Sequence, residues 1–475
     1  MLLNAKKYFY LLLILCIVLL SLSQYLRFRN NDGFFYGEES YYNLKIAEFI
    51  KENKAFPAED SMSYGGRPYV GEYGYPLLLS LNIKIIPRIL PILLGVFSFI
   101  LFYFIITKIK FEIRGLASLI LIISPTFIYL FSTLTKYSVV VFLSLFAILL
   151  HLNKKHKIAL FLFIITGFFS FISSTLILII YSIYGIFKKG KKFNLLIFFL
   201  SWIIIFFVQF FKVFKIGVPE TIFGIIQFNI NNIINIIFSD FGSIFGFSLF
   251  LFLMAIIGIY YINDNLLKTF IYYSVLIIFT VLTIYFNALI FLLVFLLAFF
   301  ASYGIYSLFF VDWKSEIFKY LTIVILCCGL LFSIVAYMDG ISKFTPTKDF
   351  ADGLKFLKGQ KINTVVFSDY SRGIYLNYAD KKNFMDSNFL YAPGVSSRAL
   401  DAERLFRTNN LNVALAIINK YNIEYIWIDK EILNKFWANE DRELLFLLRY
   451  SPQNFNKVFS NGDVEIYQYI PLNRR

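Results

Sequence analysis

The chain has 475 residues, of which 59% are apolar and 20% aromatic, with a mean hydropathy of +0.70. Its runs of Phe, Ile and Leu exceed what the core of a soluble protein of this length requires, so a polytopic membrane protein is expected and a soluble globular one is excluded. The formal charge is +15, but residues 339–475 carry 19 basic and 16 acidic side chains, a net of +3, which leaves +12 for the apolar part. The excess therefore belongs to membrane topology and to contact with anionic lipid heads. With no basic stripe interleaved with aromatics in the tail, nucleic acid is not an expected partner.

In chain order, Lys6 and Lys7 precede a first apolar span at 8–26, and no small-residue cleavage site follows it, so it reads as a retained helix rather than a signal peptide. A polar, acidic loop then occupies residues 27–75. Within it, Tyr42, Ile46, Phe49 and Ile50 recur at helical spacing opposite Asn43, Lys45 and Lys51, which predicts an amphipathic helix lying in the membrane interface. Gly37 precedes that helix and places Glu38 and Glu39 in its first turn, where the helix dipole favours the ionised carboxylate by up to about 1 kcal/mol. Such a pair suits a general base or a metal ligand; acidic residues are also common at helix starts, and the pair alone does not decide.

Further apolar spans follow at 86–107, 115–131, 137–152, 157–170, 172–187, 193–211, 244–262, 267–286, 289–311 and 317–338, giving about eleven stretches near the ~20 residues that cross a bilayer. Basic residues mark every second connection: Lys6 and Lys7; Lys108, Lys110 and Arg114; Lys154, Lys155 and Lys157; Lys188, Lys189, Lys191 and Lys192; Lys268; Lys314 and Lys319. The positive-inside rule then puts the N-terminus in the cytoplasm, and the 27–75 loop and the C-terminal segment outside. Cys16, Cys327 and Cys328 all fall within spans and build neither a disulfide framework nor a zinc site. His151 and His156 flank Lys154 and Lys155 in an inner loop, on the far side from that chemistry.

The composition changes abruptly near Met338, separating a bundle at 1–338, which includes the 27–75 loop, from a segment at 339–475. After the turn-rich DGISKFTPTKDF come β runs TVVFSD, NFMD and EYIWID, helical LDAERLF and NVALAIINKY, a further helix around 431–449 and two closing strands near 455–460 and 463–469. Strands alternating with short helices predict a small extracytoplasmic α/β domain with parallel pairing at its centre.

The first outer loop resembles that of the GT-C superfamily of membrane glycosyltransferases, which includes protein O-mannosyltransferases, aminoarabinose transferases and the catalytic subunit of oligosaccharyltransferase. The resemblance rests on GEESYYNLKIAEF and SYGGRPYVGEYGYPLLLSL, and covers residues 36–80 best. SDYSRG, FMDSN and IINKYNIEYIWID in the tail are similar to segments of archaeal-type oligosaccharyltransferases. The resemblance implies a GT-C-like bundle that passes a sugar from a polyprenyl-phosphate-linked donor to a protein or lipid acceptor at the outer membrane face.

Under that resemblance Glu38, then Glu39, is the acceptor-side carboxylate. Arg67, Arg88 or Lys136 would neutralise the leaving phosphate, and Tyr41, Tyr42 and Tyr73 would stack on sugar or prenyl groups. Glu220, Asp369 and Tyr370 stand near acceptor-contacting positions of the family, and a divalent cation, Mg or Mn, is compatible with the scheme. Three departures stand out. SPTFIYLFSTLTKYSVV has Lys136 and Tyr137 where the family often carries a second acid, and a lone Lys at a membrane edge also snorkels. The tail offers SDYSRG in place of a tryptophan-rich acceptor element, with only Asp369 and Tyr370 in register. Glu220 and Asp240 lie in loosely matching sequence, as ordinary surface acids would. The rival reading is a non-catalytic protein that binds lipid-linked glycan or assists an assembly. A transporter is disfavoured because the spans hold few buried charges.

Overall fold

The computed structural model describes residues 2–31, 33, 35–69, 71–187, 192–216, 237–262, 266–286, 288–341, 343–388, 392–438 and 440–471. The described N-terminal part is built from the helices α1 (Leu2–Asn30), α2 (Glu38–Asn53), α3 (Gly74–Ser80), α4 (Ile86–Ile109), α5 (Arg114–Ile122), α6 (Pro125–Ser132), α7 (Tyr137–Leu152), α8 (His156–Phe169), α9 (Phe171–Phe187), α10 (Lys192–Ile216), α11 (Leu249–Ile262), α12 (Leu266–Tyr285), α13 (Ala288–Phe310) and α14 (Glu316–Gly340). Each expected span falls largely on helix, the 244–262 stretch becoming helical only from Leu249. By length and composition five of the described stretches can cross a bilayer, in α1, α4, α10, α13 and α14, and a bent pair makes a sixth. Of the others, α7, α8, α9 and α11 are apolar but shorter; α7, with 16 residues, is about 24 Å long against a ~30 Å hydrocarbon layer.

The bent pair corrects the sequence reading. The 115–131 stretch is not one straight helix: α5 and α6 meet at 64°. Pro125 is the cause, because it has no amide hydrogen to extend α5 and drives the residue before it out of the helical region; Ser124 sits at φ −71°, ψ 126°.

The bundle is held by close packing of small and aromatic residues. Phe99, Phe127, Phe131, Met254, Ala255, Val294, Ala298 and Ala301 are wholly buried. Between α11 and α13 the backbones themselves touch: a Cβ added to Gly258 would lie 1.8 Å from the Phe300 carbonyl oxygen, and one added to Gly304 would lie 2.4 Å from that of Met254. Such small-residue contacts let helices approach where no hydrophobic effect drives them together.

The first loop carries a two-residue ribbon, β1 (Glu59–Asp60) antiparallel to β2 (Arg67–Pro68). In the C-terminal part, helices α15 (Lys348–Lys358), α16 (Gly373–Tyr378), α17 (Val395–Arg407), α18 (Leu411–Lys420) and α19 (Glu443–Tyr450) flank a five-stranded sheet. Its strands are β3 (Val365–Phe367), β4 (Lys382–Asn383), β5 (Ile423–Asp429), β6 (Phe455–Ser460) and β7 (Val464–Tyr469), in the order β4-β3-β5-β7-β6. β4, β3 and β5 run parallel, and β5, β7 and β6 antiparallel. The helix expected around 431–449 is interrupted: a π turn at Leu433–Trp437 swings the Trp437 ring into the core, and Ala438 follows in a left-handed conformation.

Helix α2 forms where expected but not in the expected setting. Leu44 and Ala47 enter the bundle core, Tyr41 enters the C-terminal core against Tyr375 and Tyr378, and Ile46 and Ile50 pack on Tyr69 of the loop. Protein thus covers three sides of it, Asn43 is buried, Phe49 is exposed, and the lipid-interface placement gives way to a wedge between two bodies. Lys45 ties its flank to Asp380 at 2.5 Å. The loop and the C-terminal part accordingly share one end of the bundle.

Gly258→Leu forces α11 and α13 apart and is expected to lower stability by about 1–3 kcal/mol. Thermal unfolding of the purified protein in detergent measures it; an unchanged midpoint would show that the two helices do not pack through these glycines.

Candidate functional site

At the end of the bundle shared by the loop and the C-terminal part lies a cavity of about 510 Å³. Its acidic wall comes from Glu38 and Glu39 in the first turn of α2 and from Glu72 before α3; Asn43 one turn further along α2, Lys136 and Tyr137 at the start of α7, and Ser387 and Asn388 complete it. Gly37 launches α2 at φ 77°, a backbone conformation natural to glycine, and so turns both glutamates inward.

Glu38 accepts a hydrogen bond from the Ser387 hydroxyl at 2.7 Å. Burial pushes its carboxyl up to about 7; Asp386 and Asp369 act in the same direction, and Ser387 and Arg372 oppose it. The sequence reading of a carboxylate kept ionised by the helix dipole is therefore corrected. Desolvation outweighs the fraction of a kcal/mol to about 1 kcal/mol that a helix terminus supplies.

Glu39 accepts from the Thr135 hydroxyl at 3.2 Å through Oε2 and from the Lys136 amide, while its Oε1 is buried with no partner among the described residues. Burial raises its pKa as well, and Lys136 works against that. Asn43 Nδ2 is likewise buried and unpartnered. One acceptor and one donor are thus left at the cavity wall, an arrangement that a polar ligand would complete.

Glu72 bridges two helices: the Lys136 ammonium forms a short ion pair with Oε2, and the Phe171 amide at the start of α9 donates to Oε1 at 2.8 Å. Sequence reasoning missed Glu72, although it lies within the quoted SYGGRPYVGEYGYP. The available signal was an acid in a glycine-rich turn. Gly74 is needed there because a Cβ would lie 2.8 Å from the Phe168 carbonyl oxygen. Ser387 and Asn388 lie within FMDSN, a tail segment noted for its resemblance, but neither was singled out as a site residue.

The other nominated residues divide. Tyr42 lines the cavity with its ring parallel to Tyr69, centroids 6.4 Å apart. Arg67 also lines it, but its charge is shared between two acids: Nε and Nη2 donate to Asp60 at 3.0 and 2.6 Å, and Nη1 donates to Asp386 at 2.6 Å. Tyr41 lies in the C-terminal core, Tyr73 packs on Phe56 and Tyr69, and Arg88 stacks over Phe28 at 5.6 Å, so these three are outside the cavity wall.

Asp369 caps the turn that follows β3 and pairs with Lys435 at 2.6 Å; burial alone would raise its pKa, and the bonds from Lys435 and Ser371 bring it below the ordinary value. Tyr370 is exposed beside Lys435. SDYSRG is thus a braced corner of the C-terminal part, with Arg372 paired to Asp429 at 2.6 Å, and it does not line the cavity. Asp240 accepts from Ser333 and from the Leu249 amide, fixing the turn that delivers Phe245 to the cavity wall. Glu220 lies outside the described residues.

A second cavity, about 630 Å³, opens at the other end of α7 among residues such as Ile148, Leu152, Phe163 and Phe295. Its walls offer little beyond His151, Ser144 and Tyr181 for polar chemistry, so the acidic cavity is the candidate site.

A divalent cation does not fit the acidic cavity well. Among the described residues no three His, Cys, Asp or Glu side chains group to hold a metal ion. Glu72 is committed to Lys136 and the Phe171 amide, and the Lys136 ammonium already stands in the field of Glu39. A hard cation asks instead for several open carboxylate oxygens.

No protein-family profile and no curated protein matches the sequence. Solved structures do. The chain is similar to the oligosaccharyltransferase of Archaeoglobus fulgidus tethered to an acceptor peptide containing the NVT sequon (TM-score 0.57, 13% identity, covering 98% of this chain and 75% of that one). It is similar to AglB of the same organism in complex with an inhibitory peptide and a dolichol-phosphate (TM-score 0.52, 12% identity, 98% and 75% covered). It is also similar to the mycobacterial arabinofuranosyltransferase AftD (TM-score 0.53, 13% identity, 95% and 41% covered). At such identities the likeness is one of fold alone.

Arg67 is buried between two acids, so Arg67→Met leaves Asp60 and Asp386 uncompensated and is expected to cost about 3–5 kcal/mol. Denaturation followed by circular dichroism tests this; a loss below 1 kcal/mol, roughly the surface-pair range, would mean that the pair does not brace the loop against the C-terminal part.

Proposed function

We propose that the chain is a membrane glycosyltransferase that moves a sugar from a polyprenyl-phosphate-linked donor to a protein or lipid acceptor at the extracytoplasmic face of the cell membrane. The observation that carries this reading is the acidic cavity at one end of an apolar bundle with a GT-C architecture, where a prenyl tail in lipid and a water-borne acceptor can meet. The reading includes about eleven membrane passes across 1–338, a cytoplasmic N-terminus and an extracytoplasmic α/β domain at 339–475.

In this scheme the acceptor's nucleophilic atom attacks the anomeric carbon, and its proton passes to the Glu38 carboxylate. The bond from the anomeric carbon to the phosphate oxygen breaks with its electron pair staying on the phosphate, and the configuration inverts. Glu39 and Asn43 offer the acceptor one open oxygen and one open N–H. Tyr42 and Tyr137 wall the sugar, and Lys136 faces the phosphate. Because SDYSRG is a braced corner away from the cavity, the acceptor read here differs from a sequon held by a tryptophan-rich element. None of these steps draws on a divalent cation.

The test offers polyprenyl-phosphate-linked radiolabelled sugars, with peptide and lipid acceptors, to the full chain in nanodiscs. Glu38→Gln is expected to lower transfer by roughly 10²–10⁴-fold, the range for removal of a general base. A wild type that binds the donor but transfers nothing supports the non-catalytic reading instead. Since burial raises the Glu38 carboxyl to about 7, the base is largely protonated below that pH, and wild-type transfer is expected to rise through neutrality. A rate flat from pH 5 to 9, a window spanning roughly two units either side of neutrality, argues against Glu38 as the base.

A further inference from the structure

We infer that the Lys136 ammonium is the resident cation of this site, standing where a divalent ion would have to bind, and that the donor's phosphate is met there without a metal. The inference rests on the glycosyltransferase reading for its substrate and on the geometry for its cation.

Lys136 is the residue just before α7, and its ammonium is pinned by Glu72, whose second oxygen is fixed by the Phe171 amide at 2.8 Å. The anchor is therefore rigid, tied to the first turn of α9. Both partners are largely covered, with side-chain exposures of 25% and 13%, and both line the cavity. An ammonium has three donors. Glu72 takes one, and among the described residues no other acceptor bonds it, so the remaining donors are available to a phosphate oxygen.

Burial acts against the charged amine, and the pair with Glu72 more than reverses this, so the group stays cationic. Arg67, the other cation at the cavity wall, is already shared between Asp60 and Asp386, and Arg88 is directed at Phe28. Glu39 supplies the second carboxylate of the cluster through its field on Lys136. A divalent ion placed between Glu39 and Glu72 would meet repulsion from the ammonium and, of the four oxygens of those two residues, only Glu39 Oε1 open.

Two measurements on the full chain in nanodiscs test this. In an Mn²⁺ titration read by electron paramagnetic resonance, the wild type is expected to leave the aqueous signal undiminished. Lys136→Asp, which places a third carboxylate beside Glu39 and Glu72, is expected to gain a bound Mn²⁺. A wild-type Mn²⁺ site that disappears in Glu39→Gln overturns the inference.

In the second, binding of undecaprenyl phosphate is compared with EDTA and with Mn²⁺. Equal affinity in both, a loss of about tenfold or more in Lys136→Met and recovery in Lys136→Arg are expected, as for loss of one charge-assisted hydrogen bond. Binding that appears only with Mn²⁺, or that Lys136→Met leaves intact, overturns the inference alone. No binding under either condition, with an unchanged Mn²⁺ titration, overturns the glycosyltransferase reading instead.

Discussion

Helix α2 is covered on three sides by protein. It is wedged between the bundle core, the C-terminal core and the aromatic cluster of its own loop, through Leu44 and Ala47, Tyr41, and Ile46 and Ile50 respectively. Everything at the acidic cavity depends on that wedge, because it removes solvent from a helix start that carries two carboxylates. A solvated Glu-Glu pair would remain ionised and ordinary. Here the same pair is pushed toward the protonated form, Glu38 to about 7, while Ser387, reached only across the junction with the C-terminal part, still bonds it. Desolvation and access are balanced by the seam between two bodies rather than by either one.

Charge bookkeeping around the cavity follows the same logic. Buried acids are tolerated where each has a counterpart: Asp60 and Asp386 share Arg67, Glu72 has Lys136, and Asp369 has Lys435. Glu38 and Glu39 lack a full partner, and burial raises both. Paired acids and acids left open to a ligand can therefore be told apart here by compensation, since a group held in a salt bridge has little left to offer one. The corner at SDYSRG illustrates the former: three charges, Asp369, Arg372 and Asp429, all committed to holding β3 and β5 in place.

Much of this was legible in the sequence, and the division is physical. Glu38 and Glu39 at a helix start after Gly37, the strands at Ile423–Asp429 and Val464–Tyr469, and the helical identity of the apolar stretches follow from local periodicity and turn chemistry. What escaped was set by contacts between distant segments. The 349-residue separation of Glu38 and Ser387, the entry of Tyr41 into the C-terminal core and the pairing of Lys136 with Glu72 have no period to betray them. Asn43 looked solvent-facing because amphipathicity assumes one apolar side, and α2 has three. The break before Pro125 was readable, yet the hydropathy of the stretch masked it.

The placement of the acids at the bundle's end, rather than within it, follows from the cost of charge in hydrocarbon. An ionisable group at the bilayer centre is expensive whichever scale is used, and the apolar cavity at the other end of α7 shows what the interior offers: leucine, isoleucine and phenylalanine walls with almost no polar atoms. A carboxyl there would be locked in its neutral form and useless as a base. By lifting Glu38 and Glu39 onto a helix outside the spans and then covering that helix with the C-terminal part, the fold reaches an intermediate polarity. That is the range in which a carboxyl with a pKa near neutrality exchanges a proton readily in either direction.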